Sequence, residues 1–237
     1  MPLTAYDVAA WLKGNVAERV VLTIDGREIG AKQGDRLLWV ALDHDIYVPN
    51  LCAMREAGLP FGGCRLCFVE IEGRRAPVTA CSQPVENGMV VHTDTPTVKQ
   101  LRRTAFELLL SHHHLDCAHC PKNKKCELQK IAAHQGFKLK LQRLRRIPRD
   151  LPIDSSHPLF TYDPNKCVLC GKCIWVCQRH GVGAIDFASR GLETRVSTFD
   201  NMPLADAKCD SCLECVRVCP VGSLVAKDGQ TCAGVSR

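Results

Sequence analysis

Two copies of one cysteine pattern constrain the fold of this chain more than any other feature. Each copy reads C-x2-C-x2-C-x3-C, first at Cys167, Cys170, Cys173 and Cys177, then at Cys209, Cys212, Cys215 and Cys219. Where two such runs occur together, the fourth cysteine of each ligates the other cluster. The pattern therefore predicts two interlocked [4Fe-4S] clusters. One would be held by Cys167, Cys170, Cys173 and Cys219, and the other by Cys209, Cys212, Cys215 and Cys177.

Structural zinc is the alternative interpretation of these runs. A zinc ribbon uses two C-x2-C pairs and has no third cysteine at the same short interval. Pro220 closes the second run as expected for a cluster, whereas Gln178 follows the first. Because this proline shapes a turn and binds no metal, the difference weakens the first run only slightly. We predict a bacterial-type 2[4Fe-4S] ferredoxin domain over residues 151–237, with added strands at 182–187 and 194–199.

A second cysteine set lies upstream, with the spacing C-x11-C-x2-C-x13-C, at Cys52, Cys64, Cys67 and Cys81. This spacing differs from the plant-type [2Fe-2S] pattern, C-x4-C-x2-C with a distant fourth cysteine. Gly62 and Gly63 stand just before Cys64, where a permissive backbone can approach a cluster and point its amides at sulfur. Four thiolates that match neither a cubane run nor a zinc finger favour a [2Fe-2S] cluster, with zinc as the alternative.

The surrounding residues predict a β-grasp domain over residues 18–95. Strands at 19–24 and 27–29 flank the hairpin turn Asp25-Gly26, and a helix is predicted over 36–44. Further strands are predicted at 69–72, 78–80 and 89–93. Residues 1–17 form a separate N-terminal extension with a short helix predicted at 4–13.

A third candidate centre lies in residues 96–150, where a helix starting at Pro96 runs into three consecutive histidines. Cys117, Cys120 and Cys126 follow, one ligand short of a complete set. A neutral imidazole can supply the missing ligand and would change the charge of the cluster. The residues alone leave four candidates for that ligand: His112, His113, His114 and His119. A second helix is predicted at 127–134.

Composition and charge limit the function classes. Sixteen cysteines without a predicted signal peptide indicate reduced thiols that are available to metals, and no stretch is apolar enough for a membrane helix, so we expect a cytoplasmic protein. The net charge of +6 owes much to a basic stretch within residues 138–149, which is either a solvated linker or a docking patch for an acidic partner. No aromatic residues interleave in it, which argues against single-stranded nucleic acid. Cys232 is interpreted as a free thiol.

The order of these motifs resembles the N-terminal electron-transfer portion of the large iron-sulfur subunit of respiratory complex I. It is also similar to iron-only hydrogenases and to the iron-sulfur diaphorase subunit of NAD-linked bidirectional [NiFe] hydrogenases. In that family the His ligand precedes a Leu-Asp-Cys phrase, which here is His113-His114-Leu115-Asp116-Cys117. The resemblance therefore selects His113. It covers nearly the whole chain, and the fold class that it implies is α+β with three iron-sulfur regions.

The resemblance implies an electron-transfer subunit carrying one [2Fe-2S] and three [4Fe-4S] clusters. Its partners would be a flavin-containing NAD(P)-binding subunit and [NiFe] hydrogenase subunits in a hetero-oligomer, without nucleic acid or membrane insertion. The same relay could serve an NAD-linked formate dehydrogenase, an electron-bifurcating complex or a complex I-like enzyme. The sequence has no G-x-G-x-x-G fingerprint and no recognisable catalytic residue, so we expect no substrate site on this chain. Catalysis by this chain alone and nucleic-acid binding are the competing hypotheses.

Overall fold

A computed structural model describes residues 19–227. The predicted helix at 4–13 and Cys232 lie outside the described residues. Two compact units divide the described chain: the first contains residues 19–48 and 68–98, and the second contains residues 49–67 and 99–227. Among the described residues, no helix is both long and apolar enough to cross a bilayer.

The first unit is built on a five-stranded mixed sheet. Its strands are β1 (Arg19–Ile24), β2 (Arg27–Lys32), β3 (Phe68–Ile71), β4 (Val78–Thr79) and β5 (Val90–His92). Their order across the sheet is β2-β1-β5-β3-β4, and only the central β1–β5 pair is parallel. Helix α1 (Leu37–Asp43) buries Leu37, Leu38, Val40 and Ala41. A mixed sheet with one short helix is the predicted β-grasp arrangement.

The turn between β1 and β2 forms where the sequence predicts it. Asp25 and Gly26 both have positive φ, at 48° and 78°, as a two-residue type I′ hairpin requires. The Asp25 carboxylate also accepts hydrogen bonds from the backbone N–H of Thr93 at 2.7 Å and from the Thr93 hydroxyl at 2.5 Å. The turn residue thus anchors the chain just beyond β5. Strand β2 is longer than predicted because its pairing with β1 continues to Lys32.

The second unit contains four helices and two small sheets. The helices are α2 (Pro96–His112, mostly within this unit), α3 (Glu127–Gln135), α4 (Lys172–Arg179) and α5 (Glu214–Val218). One antiparallel sheet pairs β6 (Phe160–Tyr162) with β9 (Leu224–Ala226), and the other pairs β7 (Asp186–Ala188) with β8 (Arg195–Ser197). The β7–β8 hairpin lies in the predicted insertion between the cysteine runs, although its strands are shorter than predicted.

One continuous core unites the second unit. It contains apolar side chains from loop 49–67, α2, α3 and the elements around both cysteine runs, including Leu66, Phe106, Ile131, Val168 and Val216. Several of the cysteines belong to this core themselves. A chain with few aromatic residues thus packs its interior around thiols as well as around hydrocarbon.

Part of the basic stretch is tied to this core. Arg143 lies 3.3 Å from a carboxylate oxygen of Glu107, whose side chain on α2 is 4% exposed. Arg149 donates from Nη1 to the carbonyl oxygens of Pro164 at 3.0 Å and Cys167 at 2.8 Å. The stretch is therefore neither a wholly solvated linker nor a wholly free docking patch, although Lys138, Lys140 and Arg146 are exposed.

Candidate metal centres

Loop 49–67 brings two of the upstream cysteines into contact. The sulfur atoms of Cys52 and Cys64 lie 3.5 Å apart, and both side chains are buried. The hydrogen bond between the two thiols lowers the pKa of Cys52 to about 6, with further help from the backbone amides of Gly63 and Cys64. The same contact and burial raise the pKa of Cys64. Gly63 thus contributes an amide to sulfur, as the glycine-rich loop predicts.

The other two cysteines of this predicted set are also buried. Cys67 ends the loop and is 2% exposed, and Cys81 follows β4 in the first unit and is 3% exposed. Left-handed backbone at Gly62 and Arg65, with φ of 63° and 54°, turns the loop on both sides of Cys64. The assignment of these four residues as [2Fe-2S] ligands stays a prediction.

His113 stands apart from the other three histidine candidates. It follows the last residue of α2, is 7% exposed, and holds Nδ1 2.8 Å from the carbonyl oxygen of Lys166. Burial lowers the pKa of this imidazole to about 4, so the ring is neutral at pH 7. Nδ1–H therefore donates to the carbonyl, and the Nε2 lone pair is left for a metal. A ligand histidine held by its other nitrogen is the usual arrangement in metal proteins.

The remaining candidates have different environments. His119 is largely exposed and lies 2.8 Å from the Asp116 carboxylate, and His114 is also exposed. His112 is half-buried, and its Nδ1 is buried without a hydrogen-bond partner among the described residues. Burial, reinforced by the charge of Arg149, lowers the pKa of His112. Only His113 combines burial with an oriented ring.

Of the three cysteines that follow, Cys120 and Cys126 lie close to the turn just after the second cysteine run. Cys126 immediately precedes α3, and the nearby thiols of Cys120 and Cys117 add to the burial that raises its pKa. The backbone N–H of Glu127 donates to the carbonyl of Pro220 at 3.0 Å. A β-carbon at Gly222 would lie only 2.4 Å from the sulfur of Cys120. Sequence reasoning missed the role of Gly222, because nothing local to that glycine indicates a thiol across the fold.

The first tandem site is enclosed. Cys167, Cys170, Cys173 and Cys219 line one cavity of about 20 Å³, and each is buried. Burial raises the pKa of Cys167, Cys170 and Cys173, that of Cys170 to about 12. The backbone N–H of Leu169 donates to the Cys167 sulfur at 3.4 Å. Such thiols need a strong compensating charge to ionise, which a bound iron-sulfur cluster would supply.

The second tandem site is open. Cys177, Cys209 and Cys215 line a cavity of about 730 Å³, and these three cysteines and Cys212 are all half-buried. Backbone amides again face sulfur: Ala184 donates to Cys177 at 3.2 Å and Ser211 to Cys209 at 3.4 Å. Burial raises the pKa of Cys215 to about 12, with added repulsion from Cys209, Cys212 and Cys177. The structure thus groups the cysteines across the two runs.

The spacing of the donor atoms distinguishes a cluster from a single zinc ion. With Zn–S bonds of about 2.3 Å, the sulfurs of a tetrahedral zinc site would lie about 3.8 Å apart. Among residues 19–227, no trio of cysteines has sulfurs that all lie within 4.8 Å of one another. Although the sulfurs of Cys52 and Cys64 lie 3.5 Å apart, the described cysteines of the second unit do not bring three sulfurs together at the spacing that one zinc ion requires. Buried, amide-facing thiols at wider spacing fit a polynuclear centre.

Comparison with known families divides the chain into the same three regions. Residues 17–96 match a 2Fe-2S iron-sulfur cluster binding domain. Residues 102–138 match the NADH-ubiquinone oxidoreductase-G iron-sulfur binding region, and residues 161–226 match a 4Fe-4S dicluster domain. Together these domains correspond to one [2Fe-2S] and three [4Fe-4S] clusters, which confirms the predicted cofactors.

Individual relatives are similar over most of this chain. The alpha subunit of NADPH-Fe(3+) oxidoreductase from Geobacter sulfurreducens is 38% identical over 214 residues, which are 88% of this chain and 24% of that protein. Subunit HndD of the NADP-reducing hydrogenase from Solidesulfovibrio fructosivorans is 36% identical over 220 residues, 87% of this chain and 36% of that protein. The chain thus spans about a quarter to a third of these curated relatives.

A solved structure matches over most of both chains. A chain in the crystal structure of an NAD+-reducing [NiFe]-hydrogenase in the H2-reduced state is 32% identical, with a TM-score of 0.81. The match covers 89% of this chain and 88% of that one. At this identity and coverage the likeness extends beyond a shared fold.

Proposed function

The chain belongs to the family of electron-transfer iron-sulfur subunits found in NAD(P)-linked hydrogenases and complex I-like oxidoreductases, and on that premise we propose the relay in which it acts. It carries single electrons between a flavin-containing NAD(P)-binding subunit and the catalytic subunits of a [NiFe] hydrogenase. It has no substrate site of its own. Its partners hold it in a hetero-oligomer.

The observation that carries this proposal is that three ligand-bearing segments pack on one another in the second unit. A β-carbon at Gly171 would lie 3.1 Å from the Phe61 ring, so loop 49–67 contacts the first cysteine run. The His113 ring bonds the carbonyl next to Cys167, and Cys120 contacts Gly222 just beyond Cys219. Centres held by segments in contact lie close enough to exchange electrons in sequence.

The ligand assignments are part of the proposal. The [2Fe-2S] cluster would be held by Cys52, Cys64, Cys67 and Cys81. The first [4Fe-4S] cluster would be held by His113, Cys117, Cys120 and Cys126. The tandem clusters would be held by Cys167, Cys170, Cys173 and Cys219, and by Cys209, Cys212, Cys215 and Cys177. When bound, the clusters supply one-electron chemistry, and a flavin on a partner divides the hydride pair of the nicotinamide.

The chain's own residues hold the clusters and adjust their environment. Backbone amides from Gly63, Leu169 and Ala184 donate to cysteine sulfurs, and such hydrogen bonds raise cluster potentials. The carbonyl of Lys166 orients His113 so that Nε2 faces away from that hydrogen bond. Burial of the first tandem cysteines keeps water from them. These contributions determine the direction and ease of electron transfer.

The test reconstitutes the purified chain anaerobically and measures iron, spectra and electron transfer. We expect about fourteen irons per chain, from one [2Fe-2S] and three [4Fe-4S] clusters. NADH should reduce these clusters only when the flavoprotein subunit is added. Sustained reduction of NAD by the chain alone would overturn the relay proposal, and about four bound zinc ions with no iron would overturn the cofactor assignment.

One relative suggests a second candidate for the enzyme that exchanges electrons with this relay. The similarity to a subunit of an NADPH-Fe(3+) oxidoreductase is as extensive as that to the hydrogenase subunit HndD. The same relay could therefore deliver electrons to an acceptor other than a hydrogenase. Copurification from the native host separates the two: a co-eluting nickel-containing subunit supports the hydrogenase, and its absence from an otherwise intact complex supports another terminal enzyme.

A further inference from the structure

At the open tandem site, three different donor groups converge at the second cysteine of the second run. One ring nitrogen of His180, one carboxylate oxygen of Asp210 and the sulfur of Cys212 all lie within 4.8 Å of one another. His180 immediately follows α4, and Asp210 and Cys212 belong to the second cysteine run. Unlike the cysteine sets, these donors are close enough together to share a single metal atom.

The Asp210 carboxylate is held in this position by the backbone of the run. Its Oδ1 accepts a hydrogen bond from the backbone N–H of Cys212 at 3.2 Å. The carboxylate also contacts the Cys212 thiol. Burial is the main cause that raises the pKa of this thiol, and the hydrogen bond with Asp210 raises it further. The oxygen is therefore available at the sulfur that is predicted to bind one iron of this cluster.

The first run lacks this arrangement at the equivalent position. Cys170 is the second cysteine of its run, as Cys212 is of the other run, but Leu169 and Gly171 flank Cys170 and its side chain is buried. In the part of the chain that the structure describes, no group of histidine or carboxylate donors converges on Cys170. The two runs have the same cysteine spacing, but they differ in the donor groups around their second cysteine.

We propose that Asp210 is a reserve ligand for the iron assigned to Cys212, with His180 as a flanking donor. Loss of the Cys212 thiolate would then be followed by bonding of the carboxylate oxygen to the same iron. The exchange breaks one Fe–S bond and forms one Fe–O bond, so no electron is transferred. Because one anion replaces another, the net charge of the centre is kept, which a neutral imidazole would not do. The inference rests on the ligand assignment proposed above.

This arrangement would matter because the second tandem site is the open one. Cys212 is half-buried, and His180 and Asp210 are exposed, so oxidants and electrophiles can reach this thiol more easily than Cys170. A cubane that loses one ligand readily loses the iron at that corner. A carboxylate already in place would retain the iron and so keep the cluster complete after damage to the Cys212 thiol.

The experiment compares reconstituted full-length variants by iron analysis and electron paramagnetic resonance. Cys212→Ala is expected to retain the iron content of the wild-type chain, without the signal of an oxidised [3Fe-4S] cluster. Cys212→Ala/Asp210→Ala is expected to lose one iron per chain and to show that signal at up to one spin. Cys212→Ala/His180→Ala should behave like Cys212→Ala. Cys170→Ala, the matched control, should show the [3Fe-4S] signal without a second substitution.

Several outcomes would overturn the proposal. Cys212→Ala could lose its iron as fully as the variant that also lacks Asp210, or the latter variant could retain a complete cubane. Retention of iron in Cys170→Ala to the same extent would show that an external ligand suffices. Asp210→Ala alone, with Cys212 intact, tests folding and should keep all clusters. If the wild-type chain fails to assemble four clusters, the proposed function is wrong. If the wild-type chain assembles all four clusters and the variants do not behave as expected, only the reserve-ligand proposal is wrong.

Discussion

The two tandem cysteine sites have the same ligand pattern and opposite environments. The first has four buried cysteines around a cavity of about 20 Å³, and the second has four half-buried cysteines beside a cavity of about 730 Å³. The charged groups beside the two sites also differ. Arg149 donates a hydrogen bond to the Cys167 carbonyl oxygen at the first site, whereas the Asp210 carboxylate contacts Cys212 at the second. A repeated motif therefore determines ligand number, while neighbouring segments determine charge and access.

The most severe effect is expected where the enclosed site meets the His113 segment. Gly222→Ala places a methyl group against the Cys120 sulfur, which leaves 2.4 Å where real contacts need more than 3 Å. We expect loss of the His-ligated cluster and destabilisation of about 1–3 kcal/mol, measured by iron content and thermal unfolding. Gly30→Ala is the control, because a β-carbon there meets no atom within 4 Å. Retention of every cluster in Gly222→Ala would show that Cys120 moves freely.

The difference in access predicts different rates of iron loss. Under a ferrous chelator, the cluster at Cys209 and Cys215 should lose iron at least about tenfold faster than the cluster at Cys167 and Cys173, equivalent to about 1.4 kcal/mol in the barrier. The reason is the contrast in exposure of their ligands. Time-resolved spectroscopy of the two reduced clusters measures the two rates of iron loss. Equal rates would mean that local opening, and not static burial, controls access.

A change of ligand next to the enclosed site tests the histidine assignment. His113→Cys is expected to keep a cubane but to lower its potential, on the order of 100 mV, because a thiolate replaces a neutral imidazole. Redox titration of that cluster is the measurement. His119→Ala serves as the matched control, since that side chain is largely exposed and pairs with Asp116. An unchanged potential in His113→Cys would direct attention to His112, His114 or His119.

The charge of Arg149 should produce a smaller shift. Removing this cation in Arg149→Gln is expected to lower the potential of the Cys167 cluster by roughly 50 mV, or about 1 kcal/mol for one electron. A positive charge beside the cluster favours its more negative, reduced state. Arg149→Lys keeps the charge and should recover most of the shift, whereas Arg146→Gln removes an exposed charge as a control. Equal shifts in the Gln and Lys variants would indicate a structural effect instead.

Local features of the fold were predictable from the sequence. Asp25-Gly26 forms its turn because two positive φ angles suit those residue types, and α2 and α3 form at the positions where helices were predicted. The strands of the insertion were predicted too long, because pairing partners and not propensity limit β7 and β8 to three residues each. From the sequence, Arg149 was interpreted only as part of a basic stretch. Its partner Cys167 lies eighteen positions away, and local sequence does not predict a contact over that distance.

By itself, the sequence determined the three iron-sulfur regions, because the spacing of their cysteines can be recognised along the chain before it folds. The tertiary structure alone decided what surrounds those ligands: the enclosed cavity at Cys167, the open one at Cys209, the buried ring of His113 and the donors beside Cys212. The physical reason is the separation along the chain of the residues that determine each property. Ligand spacing is a property of neighbouring residues, whereas burial, charge and access depend on segments that meet only when the chain has folded.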